Sequence, residues 1–206
     1  IFQDSLRSGM VPRDWRIANV VPLFKKGSRS QPENYRPVSL TSVIGKLLEG
    51  VIRDRVFEYI AVHNTISLCQ HGFMRKRSCQ TNLVPFYEEV SRNLDAGMAV
   101  DVIYLDFAKA FDTVPHRRLM IKLRNIGLGH NILTWFSSYL SNRSFSVALA
   151  NKSSTPVQLG VGVPQGSVLC PLILVLLIRD LHPTIPSNLS LKINKDLTLY
   201  NKYKGN

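Results

Sequence analysis

The stretch Tyr104-Leu105-Asp106-Phe107-Ala108-Lys109-Ala110-Phe111-Asp112-Thr113-Val114-Pro115-His116 decides how this chain reads. The mostly apolar run before it, Ala99 to Leu105, has the composition of a central β-strand. It ends on a carboxylate, Asp106, at the start of a helix-like segment. A strand-end Asp serves either as an N-cap or as a ligand that holds Mg²⁺ at a sheet rim. Farther along, the stretch GVPQGSVLCPL, Gly162 to Leu172, is a Pro-Gln-Gly-Ser turn opening a second helix. The first N–H groups of such a helix face anions. Phe111, five residues after Asp106, is a bulky ring of the size that sits beneath a sugar.

The bulk numbers restrict what these groups serve. At 206 residues and 45% hydrophobic, the chain can bury a core and form one domain with two lobes. Lys and Arg number 26 against 14 acidic residues, a net charge of +12. That balance favours nucleic acid over anionic membrane. The cations Lys25, Lys26, Arg29, Arg75, Lys76, Arg77, Arg117 and Arg118 are interleaved with turns, not stacked on one amphipathic helix. Three cysteines, Cys69, Cys79 and Cys170, make an odd count without a disulfide framework and predict a reducing compartment. The expected location is therefore intracellular, nuclear or cytoplasmic, and not secreted. No signal-peptide pattern is visible in the chain, which begins at Ile1 and not at Met. Cys69, His71 and Cys79 lack paired spacing and a fourth ligand, so no zinc site is expected. The longest apolar run, Leu172 to Ile178, stops at Arg179, far short of the ~20 residues a membrane span needs.

Patterning predicts a short helix in Ile1 to Trp15 and a strand over Ile17 to Phe24 broken by Pro22. Apolar residues at 44, 47, 48, 51, 52, 56 and 59/60 predict an amphipathic helix over Val43 to Ile60, and a second helix fits Thr81 to Leu94. After the Ala99 to Leu105 strand come helices over Arg117 to Ile126 and Ile132 to Leu140. A strand through Phe145, Val147 and Leu149 has its hairpin partner in Val157 to Val163. Ser167 to Leu181 reads as a helix, with Pro171 tolerated in its first turn. Leu189 to Ile193 and Leu197 to Tyr200 flank a tight turn. The mixed order of strands and helices predicts an α+β class.

Four segments carry a family resemblance: VVPLFKKGSRSQPENYRPVSLTSVIGKLLE, QHGFMRKRSC, VDVIYLDFAKAFDTVPHRRL and GVPQGSVLCPL. In this order the chain resembles the reverse transcriptase domain of non-LTR, LINE-type, jockey-like retrotransposons. The resemblance implies an RNA-directed DNA polymerase with right-hand fingers (about 10–97) and palm (about 98–206). The palm is expected to be an antiparallel sheet backed by helices, with helical fingers from Val43 to Leu94 and the thumb missing from this segment. It further implies an RNA template, a DNA primer, deoxynucleoside triphosphates and a two-Mg²⁺ site. Asp106 matches the first metal-binding carboxylate, with the Phe107 carbonyl beside it. Phe111 matches the gate that rejects a ribose 2′-OH. Gln165 and Gly166 match the turn that positions nucleotide and template base. Arg36 and one of Lys25 or Lys26 match the cations that grip the triphosphate, for which a planar fork and a point charge are suited.

The departures point the other way. Where the family has aromatic-Ala-Asp-Asp, this chain reads Ile193-Asn194-Lys195-Asp196, so Lys195 replaces one metal-binding carboxylate and leaves Asp196 alone. At 4 Å and an effective dielectric near 20, a unit charge pair interacts by roughly 4 kcal/mol, so a cation there opposes Mg²⁺ by sign alone. Cys170 and Leu177-Ile178-Arg179-Asp180 also depart from the family pattern, at positions that touch packing. The expectation is a reverse transcriptase domain by descent with impaired catalysis. The alternatives are a non-catalytic nucleic-acid-binding remnant and a relic with no selected role.

Overall fold

The computed structural model describes residues 1–68, 70–105, 109–180, 189–193 and 197–204. In chain order the first elements are α1 (Phe2–Ser8), β1 (Ile17–Phe24), β2 (Tyr35–Leu40), α2 (Val43–Val62), α3 (Cys79–Asp95) and β3 (Met98–Leu105). Then follow α4 (His116–Asn125), α5 (His130–Leu140), β4 (Arg143–Leu149), β5 (Lys152–Ser153) and β6 (Val157–Leu159). α6 (Cys170–Ile178), β7 (Leu189–Ile193) and β8 (Leu197–Lys204) complete the order. The chain divides into two compact units, Ile1–Ile60 with Lys109–Leu177, and Ala61–Ala108 with Ile178–Asn206.

In the first unit the sheet runs β2-β1-β4-β5, with β6 also on β4. Pro22 does not break β1: it pairs with Pro37 of β2 in antiparallel register. Neither proline has an N–H to donate, so each is compatible only with a pair that needs none. β4 accompanies β1 only over Ile17 to Val20, so no ladder bond on that side is lost at Pro22. The β1–β4 pairing is parallel, Ile17 opposite Ser144 through Val20 opposite Val147. The expected antiparallel palm sheet therefore does not include β4, whose sheet in this unit is mixed. The partner of β4 is also shorter than expected, β6 covering Val157–Leu159.

α6 is apolar around its whole circumference and is buried to match, with Leu172 through Leu176 at most 2% exposed. Trp135, Phe136, Tyr139 and Leu140 of α5 and Leu119 and Leu123 of α4 are buried in the same unit. α2 buries the face Gly45, Leu48, Glu49, Ile52, Val56 and Ile60. Ile44, Leu47 and Val51, expected on that face, are exposed instead. α1 docks on α5, where Trp135 Nε1 donates to Ser5 Oγ at 3.0 Å.

The second unit holds a three-stranded antiparallel sheet, β3-β8-β7, with α3 packed on β3. α3 begins with a capping box: Thr81 N donates to Ser78 Oγ and Ser78 N donates to Thr81 Oγ1. Two orphan N–H groups are thereby satisfied, and the helix begins two residues before the predicted Thr81.

Candidate active site

The residues predicted to act fall on both units. In the first, Pro164-Gln165-Gly166-Ser167 forms a turn closed by Ser167 N donating to the Pro164 carbonyl at 3.0 Å. Gly166 has φ +115°, a region that side chains rarely adopt. Its hydrogen has a second reason: a Cβ at Gly166 would lie 2.7 Å from the Ser39 carbonyl oxygen. Ser39 in turn donates its backbone N–H to the Gln165 carbonyl at 2.6 Å. The turn is therefore pinned to β2, with Pro164 and Ser167 buried, Gln165 half-buried and Gly166 exposed.

β2 also carries Arg36, opposite Leu23 in the ladder, and the β1–β2 connection carries Lys25 and Lys26. Lys25 N donates to the Asn34 carbonyl at 2.8 Å, while the Phe24 and Tyr35 rings meet edge-on at 5.5 Å. Lys25, Lys26 and Arg36 are all exposed, and none is ion-paired among the described residues. Three unpaired cations at one end of a hairpin attract an anion at low desolvation cost.

Phe111 joins the same backbone junction. Its carbonyl accepts from Val163 N at 2.8 Å, and the Val114 carbonyl accepts from Gly162 N at 2.9 Å. His116 Nε2 lies 2.6 Å from the Gly162 carbonyl and donates to it. A side chain at Gly162 would strike Asp112, whose carbonyl oxygen lies 2.6 Å from the Cβ position. The Phe111–His116 segment is thus zipped onto the strand of chain that runs into the Gln165 turn. The structure brings Phe111, Gln165 and Gly166 together, and Arg36 shares a strand with the residue that pins the turn.

Sequence reasoning missed what lies behind that turn. Glu49 of α2 is 3% exposed, and its Oε2 accepts from Val168 N at 2.8 Å and from Leu169 N at 3.3 Å. Ser167 Oγ accepts from Leu169 N, from Cys170 N and from the Tyr139 hydroxyl at 2.7 Å. The free N–H groups at the start of α6 are therefore answered by Glu49 and Ser167. This corrects the expectation that they face a bound anion, and with it the expected helix start at Ser167: regular helix begins at Cys170. The signal for Glu49 was present in its spacing, since it lies four residues from Gly45 and three from Ile52 on the buried stripe.

Tyr139 stacks on Trp135 and lies under the guanidinium of the buried Arg143, 4.7 Å from its ring. Arg143 donates to the carbonyls of Tyr139 and Trp15. Burial, then the charge of Glu49, raises the Tyr139 hydroxyl above the usual tyrosine range. Burial first, then Glu49 and Asp112, pushes the Cys170 thiol up to about 12.

In the second unit β3 and β8 pair from Met98 opposite Lys204 to Leu105 opposite Leu197, and β7 and β8 pair down to Ile193 opposite Leu197. The expected neighbourhood of the Ala99–Leu105 strand and the Leu189–Tyr200 hairpin is therefore found. Asp106, Phe107, Lys195 and Asp196 lie outside the described residues. Of the sulfur-rich segment, Cys69 also lies outside them, His71 Nδ1 is 3.3 Å from Thr81 Oγ1, and Cys79 is an exposed free thiol. Among the described residues no three His, Cys, Asp or Glu gather in a group that could hold a metal ion.

Residues 24–200 match the family model for reverse transcriptase (RNA-dependent DNA polymerase). The chain is 30% identical over 184 residues to a probable RNA-directed DNA polymerase from transposon BS of Drosophila melanogaster, covering 88% of this chain and 20% of that protein. It is 29% identical over 190 residues to the RNA-directed DNA polymerase from mobile element jockey of the same species, covering 90% and 20%. Against a Pol polyprotein from the type-1 retrotransposable element R2 of Popillia japonica the identity is 25%, over 88% of this chain and 25% of the relative. The chain thus spans about a fifth of the length of the first of these relatives. Its fold is similar to that of a Candida tropicalis telomerase truncated from its C-terminal domain, with a TM-score of 0.64 at 10% identity, over 93% of this chain and 45% of that one.

Proposed function

This chain belongs to the reverse transcriptase (RNA-dependent DNA polymerase) family, as the reverse transcriptase domain of a non-LTR retrotransposon, and from that premise we propose that it is a fingers-and-palm polymerase fragment with an impaired metal site. The fingers are residues about 10–97 and the palm about 98–206.

The observation that carries the reading is the end of the β3–β8 ladder at Leu105 opposite Leu197. Asp106 follows Leu105 and Asp196 precedes Leu197. Asp106, the Phe107 carbonyl and Asp196 are the groups that would hold Mg²⁺. When bound, the metal neutralises charge on the attacking 3′-oxygen and the leaving pyrophosphate. The donor set fits that role only in part, because Lys195 adds a cation where the family has a second carboxylate.

The rest of the chain supplies binding. Lys25 or Lys26 with Arg36 grips the triphosphate, the Phe111 ring rejects a 2′-OH, and the Gln165–Gly166 turn seats nucleotide and template base. The RNA template and DNA primer lie along the basic surface of a chain with charge +12. No described helix is long and apolar enough to cross a membrane.

Extension of a DNA primer on an RNA template, with Mg²⁺ and with Mn²⁺, tests the proposal. Trace or absent product that rises on Lys195→Asp is the expected result, and vigorous extension by the unaltered chain would refute the impairment. The second reading, a non-catalytic nucleic-acid-binding remnant, is favoured by Lys195 and the net charge together. It predicts salt-sensitive RNA binding that the same substitution leaves without activity.

A further inference from the structure

We propose that Glu49 is a positioning residue for the Gln165–Gly166 turn, holding it from behind while Ser39 holds it from the side. The inference rests on the polymerase reading above, because that reading makes the turn a nucleotide and template contact. A carboxylate at 3% exposure is costly to bury without donors, so its partners are part of the fold's specification. Here both donors are backbone N–H groups, Val168 and Leu169, and both converge on the same oxygen, Oε2. They follow Gly166 by two and three residues. A rigid α2 thus sets the start of α6 directly behind the turn.

On the other side the Ser39 N–H holds the Gln165 carbonyl at 2.6 Å, and the Ser39 carbonyl excludes any side chain at Gly166. Ser167 completes the clamp, with its hydroxyl on Leu169 N and Cys170 N and the Tyr139 hydroxyl donating to it. A turn fixed at three points keeps its tip, the half-buried Gln165 and the exposed Gly166, in one arrangement before any ligand arrives. The same contacts assign the negative charge at this helix start to the protein itself. A triphosphate must then be met by Lys25, Lys26 and Arg36, and not by α6.

Two substitutions separate positioning from bulk packing. Glu49→Gln keeps an acceptor oxygen where Oε2 lies and can hold both N–H groups; Glu49→Leu keeps the volume and removes the acceptor. Thermal melts first establish that both variants fold. Amide hydrogen exchange should then be at least about tenfold faster at Val168 and Leu169 in Glu49→Leu, with the Gln165 and Gly166 amide resonances shifted, and close to wild type in Glu49→Gln. Affinity for a fluorescent deoxynucleoside triphosphate, measured on a DNA primer annealed to RNA, should fall about tenfold in Glu49→Leu and be rescued in Glu49→Gln. Unchanged Gln165 and Gly166 resonances in Glu49→Leu would overturn the proposal, as would altered resonances with unaltered affinity. If the wild-type chain binds no nucleotide, the polymerase reading fails, and the amides of Gln165 and Gly166 alone decide the role of Glu49.

Discussion

Ser39 and Gly166 meet through backbone alone: the Ser39 carbonyl oxygen lies 2.7 Å from where a Cβ at Gly166 would be. The contact joins a strand near the start of the chain to the Pro-Gln-Gly turn, and it follows that the glycine there serves packing as well as conformation. Gly166 sits at φ +115°, so alanine meets both a strained backbone and a backbone oxygen that cannot rotate away. Gly166→Ala should lower stability by about 2–3 kcal/mol, read by urea denaturation. It should also loosen the Ser39 amide in hydrogen exchange. A variant as stable as wild type would mean that β2 and the turn separate freely.

Cys170 gives a prediction in pH. Its thiol is pushed up to about 12 from an ordinary value near 9, by burial first and then by Glu49 and Asp112. The folded state therefore keeps its proton to higher pH than the unfolded state does. Stability is fully present below about pH 9 and falls as pH rises toward about 12. Tyr139, raised in the same direction, adds to that alkaline loss. Cys170→Ala should flatten the slope of unfolding free energy against pH in that window by up to about 1.4 kcal/mol per pH unit. At pH 8 a thiol reagent should modify the exposed Cys79 and spare Cys170 until the chain unfolds, as peptide mapping would reveal.

Elements whose signals are local were legible, and those fixed by distant partners were not. α2, α3, α4, α5 and β3 announce themselves through periodicity, caps and glycine stops. The β7–β8 hairpin and its place beside β3 follow from motif order. The parallel pairing of β1 with β4 was not visible, because nothing in Ile17–Phe24 records that its neighbour comes from residues 143–149. Pro22 read as a strand breaker because its opposite number, Pro37, cannot be known before the register is. Glu49 was not singled out in the sequence. Its partners are backbone groups 119 and 120 residues away, and backbone groups leave no trace in a residue pattern. Phe111, Gln165 and Gly166 were singled out by motif, and the backbone bonds that fix the Phe111–His116 segment and the turn were not visible in that motif.

Binding to RNA should be steeply salt-dependent. Lys25, Lys26 and Arg36 are exposed and without ion pairs among the described residues, so each is free to displace a counterion from a phosphate. On single-stranded RNA the triple replacement by Gln should reduce the slope of log affinity against log salt by about 2. Fluorescence anisotropy across a salt series measures it. A slope unchanged by the triple replacement would place the phosphate contacts elsewhere on the basic surface.

Lys195→Asp should be the most productive single repair of the metal site. The β3–β8 ladder ends at Leu105 opposite Leu197, and in sequence Asp106 follows the one and Asp196 precedes the other. Restoring a carboxylate at 195 would give that end three acidic side chains and remove the cation that opposes a divalent ion there. Mn²⁺ titration followed by paramagnetic broadening should then report a site in the repaired chain that is at least about tenfold tighter than in the unaltered one, equivalent to about 1.4 kcal/mol. The broadening should centre on Leu105 and Leu197, the last described pair of the ladder. Asp106→Asn in the repaired background should abolish it. Broadening that was equal with and without the repair, or that centred away from Leu105 and Leu197, would show that Lys195 does not stand at the metal position.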